Sequence, residues 1–347
     1  MENMGKIQIA GLFPNEIETW LAAYDVAPYR SKQIFHWVHR QLVEDFSEMS
    51  NVPHKVIELL EASCTGPSAV KERRTRISAD GTEKYLFVLD DHETIETVLI
   101  PDGSRNTVCV SSQVGCAMNC SFCATGEGGY VRSLSAAEIV SQALGVQRRL
   151  NKKNESITNI VFMGMGEPFA NYEEVMKAIH LMNHPDGLNL GMRRITISTC
   201  GLVPQIKRFA EENIQVNLAI SLHAPNNAKR SQTMPINRKY PVEDLMDACF
   251  YYVEQTGRRI SFEYALIGEF NDSIQDASEL KNLLQGLLCH VNLIPVNPVN
   301  HLTRSNPQVI QEFAKILEES HISVTIRKER GTDIEAACGQ LRQQTLS

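Results

Sequence analysis

Ser111-Ser112-Gln113-Val114-Gly115-Cys116-Ala117-Met118-Asn119-Cys120-Ser121-Phe122-Cys123-Ala124-Thr125-Gly126 follows directly on the apolar, strand-like run Thr107-Val108-Cys109-Val110. Its cysteines stand with three and then two residues between them. Thiolates are the soft ligands of iron–sulfur clusters and of zinc. Three thiols this close can wrap one inorganic centre. They are one short of a full set for a four-iron cluster or a closed tetrahedral zinc. A missing ligand is an open coordination position, which belongs to catalytic centres more than to structural ones.

Outward from this loop the chain repeats strand, loop and helix. β-rich runs occur at 107–111, 159–163, 194–198, 215–221, 259–265, 290–294 and 322–326, with helical stretches at 136–150, 172–182, 204–211, 242–256, 274–284 and 307–319. Six strand–helix units predict a parallel sheet with crossover helices. Six fall short of a closed eight-fold barrel, so the expected α/β fold is an open, partial (β/α)6 barrel. In such barrels the functional groups gather at the C-terminal ends of the strands.

Before the barrel, residues 1–65 read as a small helical accessory domain. Between 29 and 42, Ile34, Val38 and Leu42 recur four apart and share one helix face, while Lys32, His36, His39 and Arg40 lie mostly off it. Residues 66–101 read as a short antiparallel β extension, with Asp80-Gly81 as its hairpin turn. Pro101-Asp102-Gly103-Ser104 marks the boundary with the 102–347 barrel domain.

Bulk composition excludes several classes. The 347 residues are 43% hydrophobic and 22% charged, as in ordinary globular proteins. There is no apolar run of membrane-spanning length and no basic-then-apolar leader, so a cytoplasmic location with no membrane partner is expected. Nine cysteines outside a secretory context point to metal or catalysis rather than a disulfide framework. The net charge of -7 argues against a uniformly basic nucleic-acid binder. Local basic clusters (Arg30 to Arg40, Lys71 to Arg76, Arg193-Arg194, Arg327 to Arg330) are compatible with RNA contact and equally with solvated surface.

The predicted strand ends carry polar residues, each with a plainer alternative. Met163-Gly164-Met165-Gly166-Glu167-Pro168 offers close backbone approach at Gly166 and an acceptor for a ligand ammonium at Glu167, or is an ordinary βα turn. Ser198 lies at the third rim, where Ser198-Thr199-Cys200-Gly201 equally suits a helix N-cap. Ser221-Leu222-His223 ends the fourth strand, and a lone histidine is commonly structural. Asn297, in Pro295-Val296-Asn297-Pro298, offers one amide in a rigid turn. Cys109 reads alone as a buried inert thiol, and Cys338, in a segment of small residues, as a free surface thiol. Polar groups at several rims of one barrel end favour a shared pocket.

Cys116-x-x-x-Cys120-x-x-Cys123 resembles the signature of the radical S-adenosylmethionine (SAM) enzymes. With Ser112-Gln113-Val114-Gly115, Met163 to Pro168, Ser221-Leu222-His223, Met234-Pro235-Ile236-Asn237 and Ala336-Ala337-Cys338-Gly339-Gln340-Leu341, the chain resembles the RlmN/Cfr family of RNA adenine methyltransferases from about residue 27 to 343. The resemblance implies a [4Fe–4S] cluster on Cys116, Cys120 and Cys123, with SAM on the fourth iron. It implies SAM contacts from Gly166, Glu167, Ser198, Ser221, Leu222, His223 and Asn297. It also implies that Cys338 is methylated as an intermediate, that Cys109 resolves a protein–RNA adduct by forming a disulfide, and that Glu96 accepts a proton.

Pro168 and Val114 look more like the RlmN branch, which forms 2-methyladenosine in 23S rRNA and in tRNA. The alternative is the Cfr branch, which acts at adenine C8 and gives antibiotic resistance. The implied partners are these RNAs and an electron donor such as flavodoxin or ferredoxin, with the enzyme a monomer. A rival from another class is a zinc-stabilised RNA-binding protein without catalysis. It accounts for the cysteine loop and basic patches, and leaves Cys338 and the polar rims unexplained.

Overall fold

The computed structural model describes residues 6–296 and 303–342. Twelve strands are present among them: β1 Lys71–Ile77, β2 Glu83–Val88, β3 Thr94–Asp102, β4 Arg105–Cys109, β5 Gln113–Gly115, β6 Tyr130–Ser133, β7 Asn159–Phe162, β8 Ile195–Thr199, β9 Asn217–Ser221, β10 Ile260–Leu266, β11 Cys289–Pro295 and β12 Ser323–Ile326. Ten of them form one sheet in the order β1-β2-β3-β4-β7-β8-β9-β10-β11-β12. From β4 onward every neighbouring pair is parallel. The expected strand–helix alternation is therefore the architecture observed, an α/β fold with a mixed sheet.

Alternation along the strands separates two surfaces. Ile160 and Phe162 of β7, Ile195 and Ile197 of β8, Phe262 and Tyr264 of β10, and Val291 and Leu293 of β11 are buried in the main core. The intervening positions Ser198, Ser221, Glu263 and Asn292 put polar groups on the other face of the sheet. The crossover helices supply the rest of the core. Helix Ala136–Asn151 starts on a capping box between Ser135 and Glu138 and buries Ile139, Val140, Ala143 and Leu144. Helix Val242–Thr256 ends at Gly257 in the left-handed region, φ 63°.

The antiparallel extension is hydrogen-bonded into the same sheet. β1 pairs with β2, β2 with β3, and β3 with β4, all antiparallel. The turn chemistry at 101–104 closes a hairpin between β3 and β4, so the sheet runs unbroken across the boundary drawn from turn residues.

The N-terminal helical segment differs from expectation in one respect. Helix Arg30–His36 passes into a π-helical turn over Trp37–Gln41, and Leu42 ends it at φ 61°. The wider turn rotates His39 off the outer face. His39 is buried and stacks on Phe35 with ring centroids 4.1 Å apart. Burial, with His184 nearby, holds its imidazole at a pKa of about 3. It is therefore no part of a cationic surface, and the basic side of this segment is reduced to Arg30, Lys32, His36 and Arg40.

Candidate active site

The cysteine loop leaves the sheet after β4 and is seated on the β7 rim. Ser112 N and Gln113 N both donate to the Met165 carbonyl (2.8 and 3.1 Å). Met165 N donates to Ser111 Oγ (2.9 Å), and Glu167 N to Gln113 Oε1 (2.9 Å). This close packing explains the rim glycine. A Cβ on Gly166, at φ 103°, would come 2.6 Å from Gln113 Cβ. Gly166 is thus needed for the seat itself, whatever ligand lies above it.

Burial raises two thiols of the loop, Cys116 to about 12 and Cys120 further, and each is raised again by its cysteine neighbours and by Glu167. A cationic centre among them would reverse this cost and hold them as thiolates. Among the described residues no three Cys, His, Asp or Glu side chains converge as ligands of a single metal ion.

Beside the loop lie the other rims. Glu167 is buried, which raises its carboxyl. Its Oε1 accepts from Phe169 N (3.0 Å) and its Oε2 from Cys200 N (2.8 Å). The side chains of Thr199 and Cys200 also hydrogen-bond this carboxyl, so it is held from several sides at the rim. Ser198 Oγ and Ser221 Oγ are 3.4 Å apart on adjacent strands. His223 is left-handed at φ 56°, and its Nδ1 accepts from Ala265 N (2.9 Å). Burial, with Arg230 beside it, lowers its pKa to about 3, so it is a neutral ring. Phe122 of the cysteine loop meets that ring edge-on at 4.6 Å. Leu222 is buried, its amide donating to the Glu263 carbonyl (3.0 Å). Asn297 lies outside the described residues.

Two further cysteines, Cys109 and Cys338, are brought to the same place. Cys109 ends β4, buried, opposite Val98 of β3 and Val161 of β7. The 331–342 segment folds back over the cysteine loop. Ala124 N donates to the Gly339 carbonyl (2.7 Å), and Thr125 Oγ1 to the Leu341 carbonyl (2.6 Å). Cys338 is exposed on this segment, close enough to Cys109 and Cys123 for mutual electrostatic effect. Glu96 of β3 is fully buried, and its Oε2 accepts from Arg342 N (3.1 Å).

Sequence reasoning missed Arg230. It sits in helix Asn227–Thr233, where a charged residue reads as a solvated face. It is instead fully buried. Its guanidinium donates to the carbonyls of Leu222 (3.1 Å), Cys200 (2.6 Å) and Ser221 (3.3 Å) and to Asn237 Oδ1 (3.0 Å). One side chain therefore pins the third and fourth rims together. Gln142 does the same for the first, through Ser111 N, Ser111 O and Thr97 Oγ1.

The chain matches the Radical SAM superfamily over residues 110–280 and the Ribosomal RNA large subunit methyltransferase N-terminal domain over residues 7–65. It is 48% identical over 336 residues to a probable dual-specificity RNA methyltransferase RlmN of Geobacillus kaustophilus, covering 96% of this chain and 92% of that protein. The corresponding protein of Bacillus subtilis is 47% identical over 333 residues, covering 94% and 91%. A crystal structure of a radical SAM methyltransferase from Sphaerobacter thermophilus superposes with a TM-score of 0.94 at 48% identity, covering 96% of this chain and 98% of that one. Neither the Cfr-type alternative nor a non-catalytic zinc protein is favoured by these relatives. The chain belongs to the RlmN family of radical SAM dual-specificity RNA methyltransferases, enzymes of a [4Fe–4S] cluster and SAM.

Proposed function

We propose that this enzyme forms 2-methyladenosine in 23S rRNA and in tRNA, using Cys338 as methyl carrier and Cys109 as resolving thiol. The observation that carries the reading is the docking of the Cys338 segment on the cysteine loop through Ala124 and Thr125. A methyl group on Cys338 then stands beside the inorganic centre and beside Cys109.

Cys116, Cys120 and Cys123 would hold three irons, and Glu167, Ser198, Ser221, His223, Gly166, Leu222 and Asn297 would bind SAM around the fourth. The cluster with SAM supplies, once reduced, a 5′-deoxyadenosyl radical strong enough to take hydrogen from an unactivated methyl group. The carboxylate of Glu167 takes the ammonium of SAM as a charged acceptor. His223, neutral and held by Ala265, presents a flat wall and no positive charge to the sulfonium. Cys338 attacks the methyl carbon of a first SAM with its sulfur, which must be deprotonated to react. The methylene carbon on Cys338 would then add to adenine C2, and loss of one electron to the reduced-cofactor site and of the ring proton to Glu96 would leave a Cys338–CH2–RNA thioether. Cys109, as thiolate, would attack the Cys338 sulfur, forming the S–S bond and breaking the S–CH2 bond, whose electron pair takes up a proton to give the methyl group of the released base. The electron donor is flavodoxin or ferredoxin in this reading, and the enzyme a cytoplasmic monomer.

The helical 1–65 segment would steady the RNA by electrostatic attraction, as an accessory domain joined through the 66–101 extension to the 102–347 barrel. Anaerobically reconstituted protein incubated with RNA, SAM and reductant tests the proposal by mass spectrometry of nucleosides. 2-Methyladenosine from the wild type and none from Cys338→Ala is the expected result; 8-methyladenosine overturns the choice of carbon.

A further inference from the structure

Lys84 of β2 has no part in the chemistry above, yet it is almost wholly buried against it. Its Nζ lies 3.1 Å from Glu96 Oε1, with side-chain exposures of 3% and 1% for the pair. The same Nζ donates to the Glu335 carbonyl at 3.0 Å. The second oxygen of Glu96 accepts from Arg342 N at 3.1 Å. Glu335 precedes Cys338 by three residues and Arg342 follows it by four. One ion pair thus grips the Cys338 segment on both sides of the thiol.

Strand register gives this a direction. Leu86 is opposite Glu96, Lys84 opposite Val98, and Val98 opposite Cys109. Opposed residues of an antiparallel ladder share a face, so Lys84, Glu96 and Cys109 project on one side of the sheet. The β1–β2 hairpin adds further ties to the same segment. Gly331 N donates to Asp80 Oδ2 (2.9 Å), and Asp333 accepts from Ser78 Oγ (2.6 Å) and Ala79 N (3.1 Å).

A buried lysine–carboxylate pair is a poor source of stability, because the desolvation of both charges offsets their attraction. An apolar pair would fill the same volume at lower cost. Something other than stability is served by keeping both charges here.

We propose that Lys84 is a positioning residue that locks the Glu96 carboxylate and the Cys338 segment to each other, so that proton acceptor and methyl carrier meet the adenine as one unit. The proposal rests on the roles given above to Glu96 and Cys338. Lys84 touches neither SAM nor RNA in it, and acts through the two groups it holds.

The test uses reconstituted holoenzyme with an RNA substrate and measures kcat and KM for methylation. Lys84→Met should lower kcat about 100-fold, the usual loss for a small misplacement of reacting groups, with KM and charge-transfer absorption of the cluster unchanged. Lys84→Arg, which keeps the charge and a donor, should recover most of the rate. Lys84→Gln, which keeps a donor for Glu335 without the charge, should not, and decides the matter if the Met variant fails to fold. Placed on a Glu96→Gln background, Lys84→Met should cost clearly less than on the wild type, since part of its effect runs through that carboxylate and the rest through the Glu335 carbonyl. Additive losses, or wild-type kcat in both Lys84→Met and Lys84→Gln, overturn the proposal. An inactive Glu96→Gln beside a fully active Lys84→Met refutes Lys84 alone, whereas a fully active Glu96→Gln refutes the role of Glu96 and this proposal with it.

Discussion

The amide of Ala124 donates a 2.7 Å hydrogen bond to the carbonyl of Gly339. Each residue directly follows a cysteine, Cys123 and Cys338. A backbone bond between those neighbours fixes the reach between the cysteine loop and the Cys338 thiol without relying on any side chain. Thr125 repeats the tie to Leu341 across 216 positions of sequence. The small-residue character of 336–339 follows from this contact, because larger groups would hold the two backbones apart.

Gly339→Ala tests the contact directly. Gly339 is at φ 80°, and an added Cβ would lie 2.9 Å from the Phe122 carbonyl oxygen. The left-handed conformation alone costs a non-glycine residue about 1–2 kcal/mol, and the clash moves the segment outward. Methylation of RNA should fall about 100-fold, as misplaced reacting groups do, while iron content stays at the wild-type level. An unchanged rate would show that the docked arrangement is not the reactive one.

Arg230 governs the opposite wall. Arg230→Met strips donors from the carbonyls of Cys200, Ser221 and Leu222 inside the fold. Each buried acceptor left unpaired costs about 1–3 kcal/mol. A large drop in melting temperature is expected. Arg230→Lys keeps the charge but lacks the planar fork that reaches several carbonyls at once. It should recover only part of the loss, measured by calorimetry of protein without cluster so that iron binding does not mask it.

The protein should lose stability in mild acid through His39. Its folded pKa of about 3 is depressed from 6.5, first by burial and then by His184. The unfolded chain therefore binds the extra proton between those two values. Stability from this group is complete above pH 6.5 and declines as pH falls toward 3. From pH 7 to 5 the loss is ~2 kcal/mol, taking 1.36 kcal/mol per pH unit below the unfolded value. His39→Leu should remove that part of the acid sensitivity. Denaturant melts of both proteins at pH 7 and 5 check it, and an equal acid loss in both would refute the assignment.

The strand–helix order and the cysteine loop were legible because both are local. β-branched runs, turn residues and ligand spacing are written in consecutive positions. The rotation of His39 was not legible, since a single π turn shifts the face of a helix without changing its apolar period. Nor were Arg230 and Lys84, charged residues outside any motif: Arg230 is buried by the carbonyls of two strand ends, and Lys84 by Glu96 and by Glu335, 251 positions away. Gly166 was legible in position, but its packing against the cysteine loop was not. It is required by the packing of Gln113 before any ligand is considered.

Cys109 and Cys338 give the sharpest division of labour. Burial and the neighbouring Cys338 both raise the Cys109 thiol, so it is a poor nucleophile while the pocket is closed. In the proposed reaction it attacks a sulfur already brought against it, in the last step. Burial raises the Cys338 thiol as well, with Arg327 opposing, but Cys338 is the exposed one of the two, and in the proposed reaction it is the one that meets SAM first. Cys109→Ala should therefore leave the first transfer intact and stop the second release. Protein–RNA conjugate should accumulate, resistant to RNA denaturants and visible as a band of raised mass after electrophoresis. Cys338→Ala should give neither conjugate nor methylated RNA, and the double variant should behave as Cys338→Ala alone. Free product from Cys109→Ala at the wild-type rate would remove Cys109 from the reaction and leave it a buried strand residue.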